Sequence, residues 1–434
     1  MTSWMKKSLI VICIIAGIPS VFYGRADAAM RFVNIKAKNK IERSAIANMG
    51  VSIEAVRSTD VWGFANESSL ERLKNAGLKI LGDFDISVAR GGHQNNFGFP
   101  PKDSSYHTYD ELTAALNDLQ AKNADIAKVT SIGDTIENRK IWAIHINTNP
   151  SALISGRSNK PGAIFMGNHH AREHLSIEVP LMLAQYLLNH RDDAKIWALI
   201  DSRDIWIIPI VNPDGSEWDI STGQYVYWRK NRRDNRDGTF GVDLNRNYGF
   251  KWGTGGSSED TSSDVYMGVA PFSEPESSAI RDFVRLHTNA KILLSFHTFS
   301  ELILYPWGHT YDKVENTKDL AVYEEMAKTM AAWNHYTPEQ SSDLYIASGD
   351  TTDWAYGELG MFSFTFELSP SSMFNGGFYP GPDAIDKAFA DNLRPCLYMI
   401  DLADDPYRTV SGGTTRWLPN YVEPSLAPQH FWGW

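Results

Sequence analysis

The spacing of apolar and polar positions divides the chain into two patterned regions. In the first, residues 31–37 alternate as a strand, and residues 39–49 have helical spacing that stops at Gly50. Residues 51–57 and 61–65 read as strands. Ser68 or Ser69 is placed to cap a helix that ends at Gly77, and residues 78–84 read as a last strand. The order β-α-β-β-α-β predicts a small ferredoxin-like α+β unit. Residues 90–96 are polar and rich in Gly and Asn, the composition of an exposed linker that is easily nicked.

The second region runs from about Gly98 to about residue 404. An amphipathic helix is predicted over 109–122. Strand-like runs follow at 126–132, 141–147, 162–167, 204–211, 291–297, 301–306 and 362–368. Helical patterns lie among them at about 172–190, 273–287, 317–334 and 383–402. This alternation predicts an α/β fold: a mixed, mostly parallel central sheet with helices on both faces. Continuous apolar runs such as 205–210 fit strands buried on both sides. From about residue 405 the pattern is lost. The stretch carries Trp417, Phe431, Trp432 and Trp434 together with Pro419, Pro424 and Pro428, as in a strap against the domain or an unstructured tail, with a surface-binding tail the other reading.

The N-terminus reads differently. Lys6 and Lys7 precede the apolar run 9–18, and Ala26-Asp27-Ala28 offers a small-x-small cleavage site. That is the pattern of a signal peptide cut after Ala28 or Ala29, and it predicts a secreted product. The run is too short to remain as a membrane span, and no other long apolar run follows, so no stable membrane anchor is expected.

Hydrophobic residues make up 43% and charged residues 21% of the 434, ordinary values for a folded chain. The formal net charge of −11 argues against a nucleic-acid partner, which needs a basic face. Of the two cysteines, Cys13 lies in the signal run, so the processed chain has no intrachain disulfide and Cys396 reads as a small buried hydrophobe.

Candidate chemistry begins where the apolar run 163–166 ends. His170 and Glu173 are three apart, so a helical turn points them to one side, and imidazole and carboxylate both bind zinc at about 2 Å. His169 must then point elsewhere. A His-x-x-Glu pair needs a third ligand. His297 closes the apolar strand 292–297, and in α/β sheets functional groups gather beyond strand carboxyl ends. A His2Glu set leaves a fourth position for water; taken alone, His297 reads equally as a histidine capping a strand end. Glu367 lies inside the apolar run 362–368, where a carboxylate is costly without a partner or a task. Beside a metal, it can take a proton from water.

These residues, in this order, resemble the zinc metallocarboxypeptidases of the funnelin type, and within them the bacterial carboxypeptidase T kind. The resemblance covers about residues 98–404. It implies zinc on His170, Glu173 and His297, and Glu367 as the catalytic glutamate. It implies that Asp243 orients the first zinc histidine and that Arg229 stabilises the oxyanion. Asn245, Arg246 and a mobile Tyr345 correspond to residues that grip the substrate's terminal carboxylate, and Arg172 to one on the substrate path. Asp350 and Thr352 fall at the specificity pocket. Neither the isoleucine of apolar-specific members nor the aspartate of strictly basic ones stands at Thr352. Mixed specificity is therefore expected, for apolar and aromatic residues with Arg and Lys also accepted. Structural calcium is implied at Ser104, Tyr106 and Glu111; a capped helix start is the other reading of that corner.

The boundaries read from the sequence, with the roles the resemblance implies, give the organisation expected of the chain: signal peptide 1–28, inhibitory prosegment 29–97, catalytic domain 98–404 and a tail of unassigned role at 405–434. Its expected partners are peptides with a free C-terminus and an activating protease, acting on a monomer. The rival readings are a zinc amidase or endopeptidase on cell-wall peptides, and a non-catalytic peptide-binding relative. Asn245 and Arg246 argue against an endopeptidase. A non-catalytic relative would have lost the glutamate or a ligand, and none is missing.

Overall fold

The computed structural model describes residues 30–86 and 98–412. The signal-peptide segment, the 90–96 linker and the aromatic part of the tail lie outside the described residues.

The first region folds in the expected order: β1 (Arg31–Lys36), α1 (Lys40–Asn48), β2 (Ser52–Val56), β3 (Asp60–Ala65), α2 (Glu67–Asn75) and β4 (Ile80–Asp85). The strands form an antiparallel sheet in the order β2-β3-β1-β4, a ferredoxin-like arrangement. Val33, Ile35 and Val61 point to one face and meet Ile46, Leu70 and Leu73 from the two helices, which is the burial that holds this small unit together. The second helix is capped by Asn66, not by Ser68 or Ser69. The Asn66 side chain accepts from Ser69 N at 2.7 Å, so the helix starts earlier and Ser69 is buried within it.

The larger region supplies β5 (Ala127–Asp134), β6 (Lys140–Ile146), β7 (Gly162–Gly167), β8 (Asp204–Ile208), β9 (Ala290–Thr298), β10 (Leu302–Tyr305), β11 (Thr337–Gln340) and β12 (Phe362–Leu368). They form one sheet in the order β11-β10-β12-β9-β7-β8-β6-β5. Its centre, from β12 through β9 and β7 to β8, is parallel, and β5, β6 and the β10–β12 pair are antiparallel. The helices are α3 (Tyr109–Lys122), α4 (Pro150–Ser155), α5 (Leu175–Asn189), α6 (Ala194–Ser202), α7 (Pro213–Asp219), α8 (Pro275–Leu286), α9 (Thr317–Asn334), α10 (Thr351–Leu359) and α11 (Asp383–Leu402). One face of the sheet is covered by a core to which α3, α5, α9 and α11 contribute. On the other face Ile280 and Phe283 of α8 and Trp354 of α10 pack on Ile164, Ile208 and Leu293. This is the mixed, doubly covered sheet that the sequence predicts.

Two boundaries differ. The strand expected over 204–211 stops at Ile208, because Pro209 has no N–H to continue the ladder. The helix expected from 172 begins at Leu175, with consequences for the site. The short helices α4, α6, α7 and α10 and the edge strand β11 are additions to the sequence reading. The tail begins as a packed strap: Tyr407 Oη donates to Asp319 at 2.5 Å, and Arg408 pairs with Asp404 at 2.6 Å.

The small unit sits across the carboxyl ends of the central strands. Lys40 pairs with Asp343 at 2.8 Å, Arg43 donates to Leu344 O at 2.5 Å and Asp343 O at 2.7 Å, and Ser44 Oγ accepts from Ile346 N at 2.8 Å. From the next strand, Glu54 pairs with Arg172 at 2.6 Å. Among the described residues no helix is long and apolar enough to cross a membrane.

Candidate active site

The turn after β7 carries the first two metal donors. A Cβ on Gly167 would lie 1.9 Å from Ser176 O, so only glycine lets the strand end pack on the start of α5. Asn168 follows with φ 56°, and its amide donates to His170 O at 3.1 Å and Ala171 O at 3.3 Å. Glu173 N closes the turn on His170 O at 3.1 Å. His170 and Glu173 thus face one another across a tight turn rather than a helix, with His170 Nδ1 2.7 Å from Glu173 Oε1.

His297 arrives from the end of β9. Its Nδ1 is 2.9 Å from Glu173 Oε2 and 3.1 Å from His170 Nδ1. Among the described residues this is the one cluster of three or more such donors able to hold a metal, its ligand atoms lying within 4.8 Å of one another. Two imidazoles and a carboxylate, buried and converging on one point, fit zinc with an open fourth position. Burial alone would raise the Glu173 carboxyl, but His170 and His297 draw it far below the usual carboxylate range.

Further groups surround the donors. His170 Nε2 lies 3.2 Å from Asp243 Oδ1, which puts the carboxylate behind the imidazole, where such groups orient metal ligands. The other oxygen of Asp243 takes Nε and Nη2 of Arg229 at 3.0 and 2.9 Å. Burial opposes the charge on Arg229, yet Asp243, then Glu54 and Glu173, raise its guanidinium above the ordinary value. Glu367 is paired in register with His297 across the parallel β12–β9 ladder, and it lines a cavity with His170 and Glu173. Burial, and then the negative charges of Glu173 and Glu54, push its carboxyl well above the usual range.

The cavity continues past Asn245, Arg246 and Tyr345 to Asp350. Asn245 Oδ1 is saturated by Thr351 N at 2.9 Å and Thr351 Oγ1 at 3.0 Å. Arg246 donates from Nε to Gly256 O and from Nη1 to Asn245 O. Among the described residues its Nη2 meets no acceptor. Tyr345 Oη donates to Ile53 O of β2 at 3.2 Å, so this tyrosine is held by the small unit. Asp350 caps α10, accepting from Asp353 N at 2.9 Å, and its Oδ2 is buried without a partner. Burial, then the nearby Asp353, pushes its carboxyl up to about 8. Thr352 does not line the cavity. Its hydroxyl is 2.6 Å from that of Thr365, and Thr365 is the one exposed to the cavity.

Arg172 is fully buried between the rings of Phe64 and Phe378, each 4.5 Å from the guanidinium carbon, and is paired with Glu54 and Asp264. At the calcium corner, Glu111 closes a capping box with Thr108, and Tyr106 Oη donates to Gly381 O at 3.0 Å. That is the capped helix start, and calcium at Ser104, Tyr106 and Glu111 rests on the resemblance alone. Cys396 is buried, and burial pushes its thiol up, away from reactivity.

Three participants escape the sequence reading. Glu54 lies in a strand with no motif around it, whereas Thr365 had a signal, standing two residues before Glu367 on the same strand face. Ser295 had a signal: it stands two residues before His297, on the same strand face, and its Oγ lies 3.1 Å from His297 Nε2.

Known proteins share this pattern. A family model described as "Zinc carboxypeptidase" matches residues 112–394. A zinc carboxypeptidase of Saccharothrix mutabilis subsp. capreolus is 33% identical over 364 residues, covering 80% of this chain and 82% of that protein. Human carboxypeptidase A5 is 32% identical over 323 residues, covering 72% and 70%. In structure, the chain resembles a carboxypeptidase A from Helicoverpa armigera with a TM-score of 0.70 at 24% identity, over 89% of this chain and 99% of that one.

Proposed function

Because the chain belongs to the zinc carboxypeptidase family, we propose that its cavity removes single residues from the C-terminus of peptides, with zinc held by His170, Glu173 and His297. The activity is that of a metallocarboxypeptidase, and the family's metal is zinc. The observation that carries the residue roles is convergence. Two metal donors, His170 and Glu173, line one cavity with the Glu367 carboxyl, the buried Arg229 guanidinium and a set of groups suited to a carboxylate, and His297 reaches the same two donors through its ring.

Zinc bound there supplies a Lewis acid that favours attack by water at neutral pH. Glu367 takes a proton from the attacking water and returns it to the leaving amine; the nearby Arg229 and the charge of a bound metal favour the ionised carboxylate that the first act needs. Arg229, fixed by Asp243, faces the negative charge that develops on the carbonyl oxygen. Asn245, with its oxygen saturated, offers its amide N–H groups to the terminal carboxylate. Arg246 adds a guanidinium, and Tyr345 a hydroxyl once freed from Ile53. These three groups demand a free C-terminus, which limits cleavage to the last residue.

The experiment is digestion of a peptide library with and without a zinc chelator, reading released residues by mass spectrometry. Single C-terminal residues should appear only with zinc, and C-terminally amidated peptides should resist. Internal cleavage, or equal attack on the amides, would favour the endopeptidase or amidase reading.

The finer specificity is the mixed, carboxypeptidase T-like kind, with Thr352 supporting the pocket through Thr365 and Asp350 at its end. Asp350 is neutral below about 8 and charged above it. The kcat/KM for C-terminal Arg relative to Phe should therefore rise between about pH 7 and about pH 9, since kcat/KM reports the free enzyme's ionisations. Asp350→Asn should flatten that rise and slow release of Arg. Unchanged release of Arg by this variant would remove Asp350 from the specificity.

The same reading takes the chain as a secreted precursor, with residues 1–28 a signal peptide and 29–97 an inhibitory prosegment on the 98–404 enzyme. It takes the active form as a monomer released by another protease. Ile53 and Glu54 line the cavity, and Arg172 and Tyr345 are both engaged by β2, which supports inhibition. Limited proteolysis within about residues 90–98 should raise hydrolysis sharply; full activity of the uncut chain would contradict it.

A further inference from the structure

His169, beside the metal donors, takes no part in the chemistry above. Its ring is fully buried and both nitrogens are engaged. Nδ1 lies 3.2 Å from Ser295 Oγ, and Nε2 lies 2.9 Å from Tyr248 Oη and 3.1 Å from Thr351 Oγ1. Ser295 Oγ also lies 3.1 Å from His297 Nε2. Thr351 Oγ1, at the other end, donates to Asn245 Oδ1 at 3.0 Å. A continuous chain of hydrogen bonds thus joins a metal donor, His297, to a carboxylate-gripping residue, Asn245, through Ser295, His169 and Thr351. No member is more than 9% exposed, so water cannot substitute for any link.

The proton positions follow from satisfying each buried group in turn. His297 directs Nδ1 at Glu173 and His170, so as a ligand it keeps that nitrogen unprotonated and carries its proton on Nε2. His297 Nε2–H then donates to Ser295 Oγ, and the Ser295 hydroxyl donates to His169 Nδ1. His169 is left with its proton on Nε2, donated to the hydroxyls of Tyr248 and Thr351. Thr351 O–H, with Thr351 N–H beside it, fills Asn245 Oδ1 and turns the amide N–H groups to the cavity. The opposite tautomer would aim two N–H donors at Ser295 Oγ. The Ser295 proton would then be stranded, because that oxygen meets no third partner among the described residues.

We propose that His169 is a positioning residue which, as its Nε2–H tautomer, aligns His297 for the metal and Asn245 for the substrate carboxylate at once. This rests on the zinc reading of the site.

Two measurements test it. In the zinc-loaded full chain labelled with nitrogen-15 histidine, with His169 identified by its loss in His169→Phe, the ring should be neutral with its proton on Nε2. A proton on Nδ1 overturns the proposal. The second measurement splits the relay. His169→Gln keeps a nitrogen near the Nε2 position and the bond to Thr351, but loses Ser295. It should weaken zinc binding about 10- to 100-fold, read by chelator competition, with little change of KM in excess zinc. His169→Asn keeps an acceptor near Nδ1 for Ser295 but loses Thr351. It should hold zinc normally and raise KM for peptides up to about ten-fold, one hydrogen bond's effect. If zinc affinity and KM move together in both variants, or neither moves in either, His169 is a packing residue. If the unmodified chain takes up no zinc, the reading of the site itself fails, a result distinct from these.

Discussion

Glu367→Gln should stop peptide hydrolysis while leaving the metal in place. The substitution keeps shape and volume and removes only the ability to accept a proton. Loss of a positioned general base lowers kcat by roughly 10²- to 10⁴-fold, and the high end is expected here because the same group also protonates the leaving amine. Glu367 is not one of the three metal donors, and a glutamine amide is no costlier to bury than the carboxyl it replaces. Zinc content and melting temperature should therefore match or exceed those of the unmodified protein. Steady-state kinetics on a C-terminal Phe peptide, together with metal analysis of the same sample, read both halves. Ordinary turnover in this variant would mean that another group handles the proton.

Asp243→Asn should have the next largest effect, on two quantities at once. One oxygen of Asp243 backs His170 and the other holds Arg229 by two bonds. An amide cannot balance the buried guanidinium, and breaking such a pair from one side typically costs about 3–5 kcal/mol. It also loosens the imidazole, a change that usually weakens metal binding about 10- to 100-fold. Denaturant unfolding and chelator competition measure the two. A variant with normal stability would show that Arg229 finds another partner, and the pairing with Asp243 would lose its importance.

The sequence carried the architecture because its strands are unusually clear. The run 163–166 is apolar throughout, the run 362–368 sets Phe362, Phe364, Phe366 and Leu368 between polar residues, and both sit at the parallel centre of the sheet. Elements with weak periodicity were missed. Helix α10 starts at Thr351 and contains Gly357, and helix α4 is only six residues long. The site residues were legible where several motifs agreed in order. What stayed hidden was pairing across the fold. Alternation along 362–368 puts Thr365 on the face of Glu367, but nothing local says that Thr352 reaches the cavity only through Thr365, because that depends on how α10 packs on β12. The turn at His170–Glu173 was read as helical because three-residue spacing suits both, and Asn168 in a left-handed conformation decides for the turn. The engagement of Arg172 by Glu54 joins residues 118 positions apart, a distance no local pattern spans.

The rung shared by Glu367 and His297 has a mechanical meaning. Adjacent strands are held about 4.8 Å apart by their ladder, whatever the loops around them do. In the proposed reading the proton-handling group and one metal donor thus share a rigid ladder, whereas the other two donors sit on the turn after β7, and Tyr345 rides on an irregular stretch that the small unit can seize and let go. Loosening the stretch that carries Tyr345 would cost affinity for peptide while leaving the spacing of Glu367 and His297 intact, since the ladder alone fixes it.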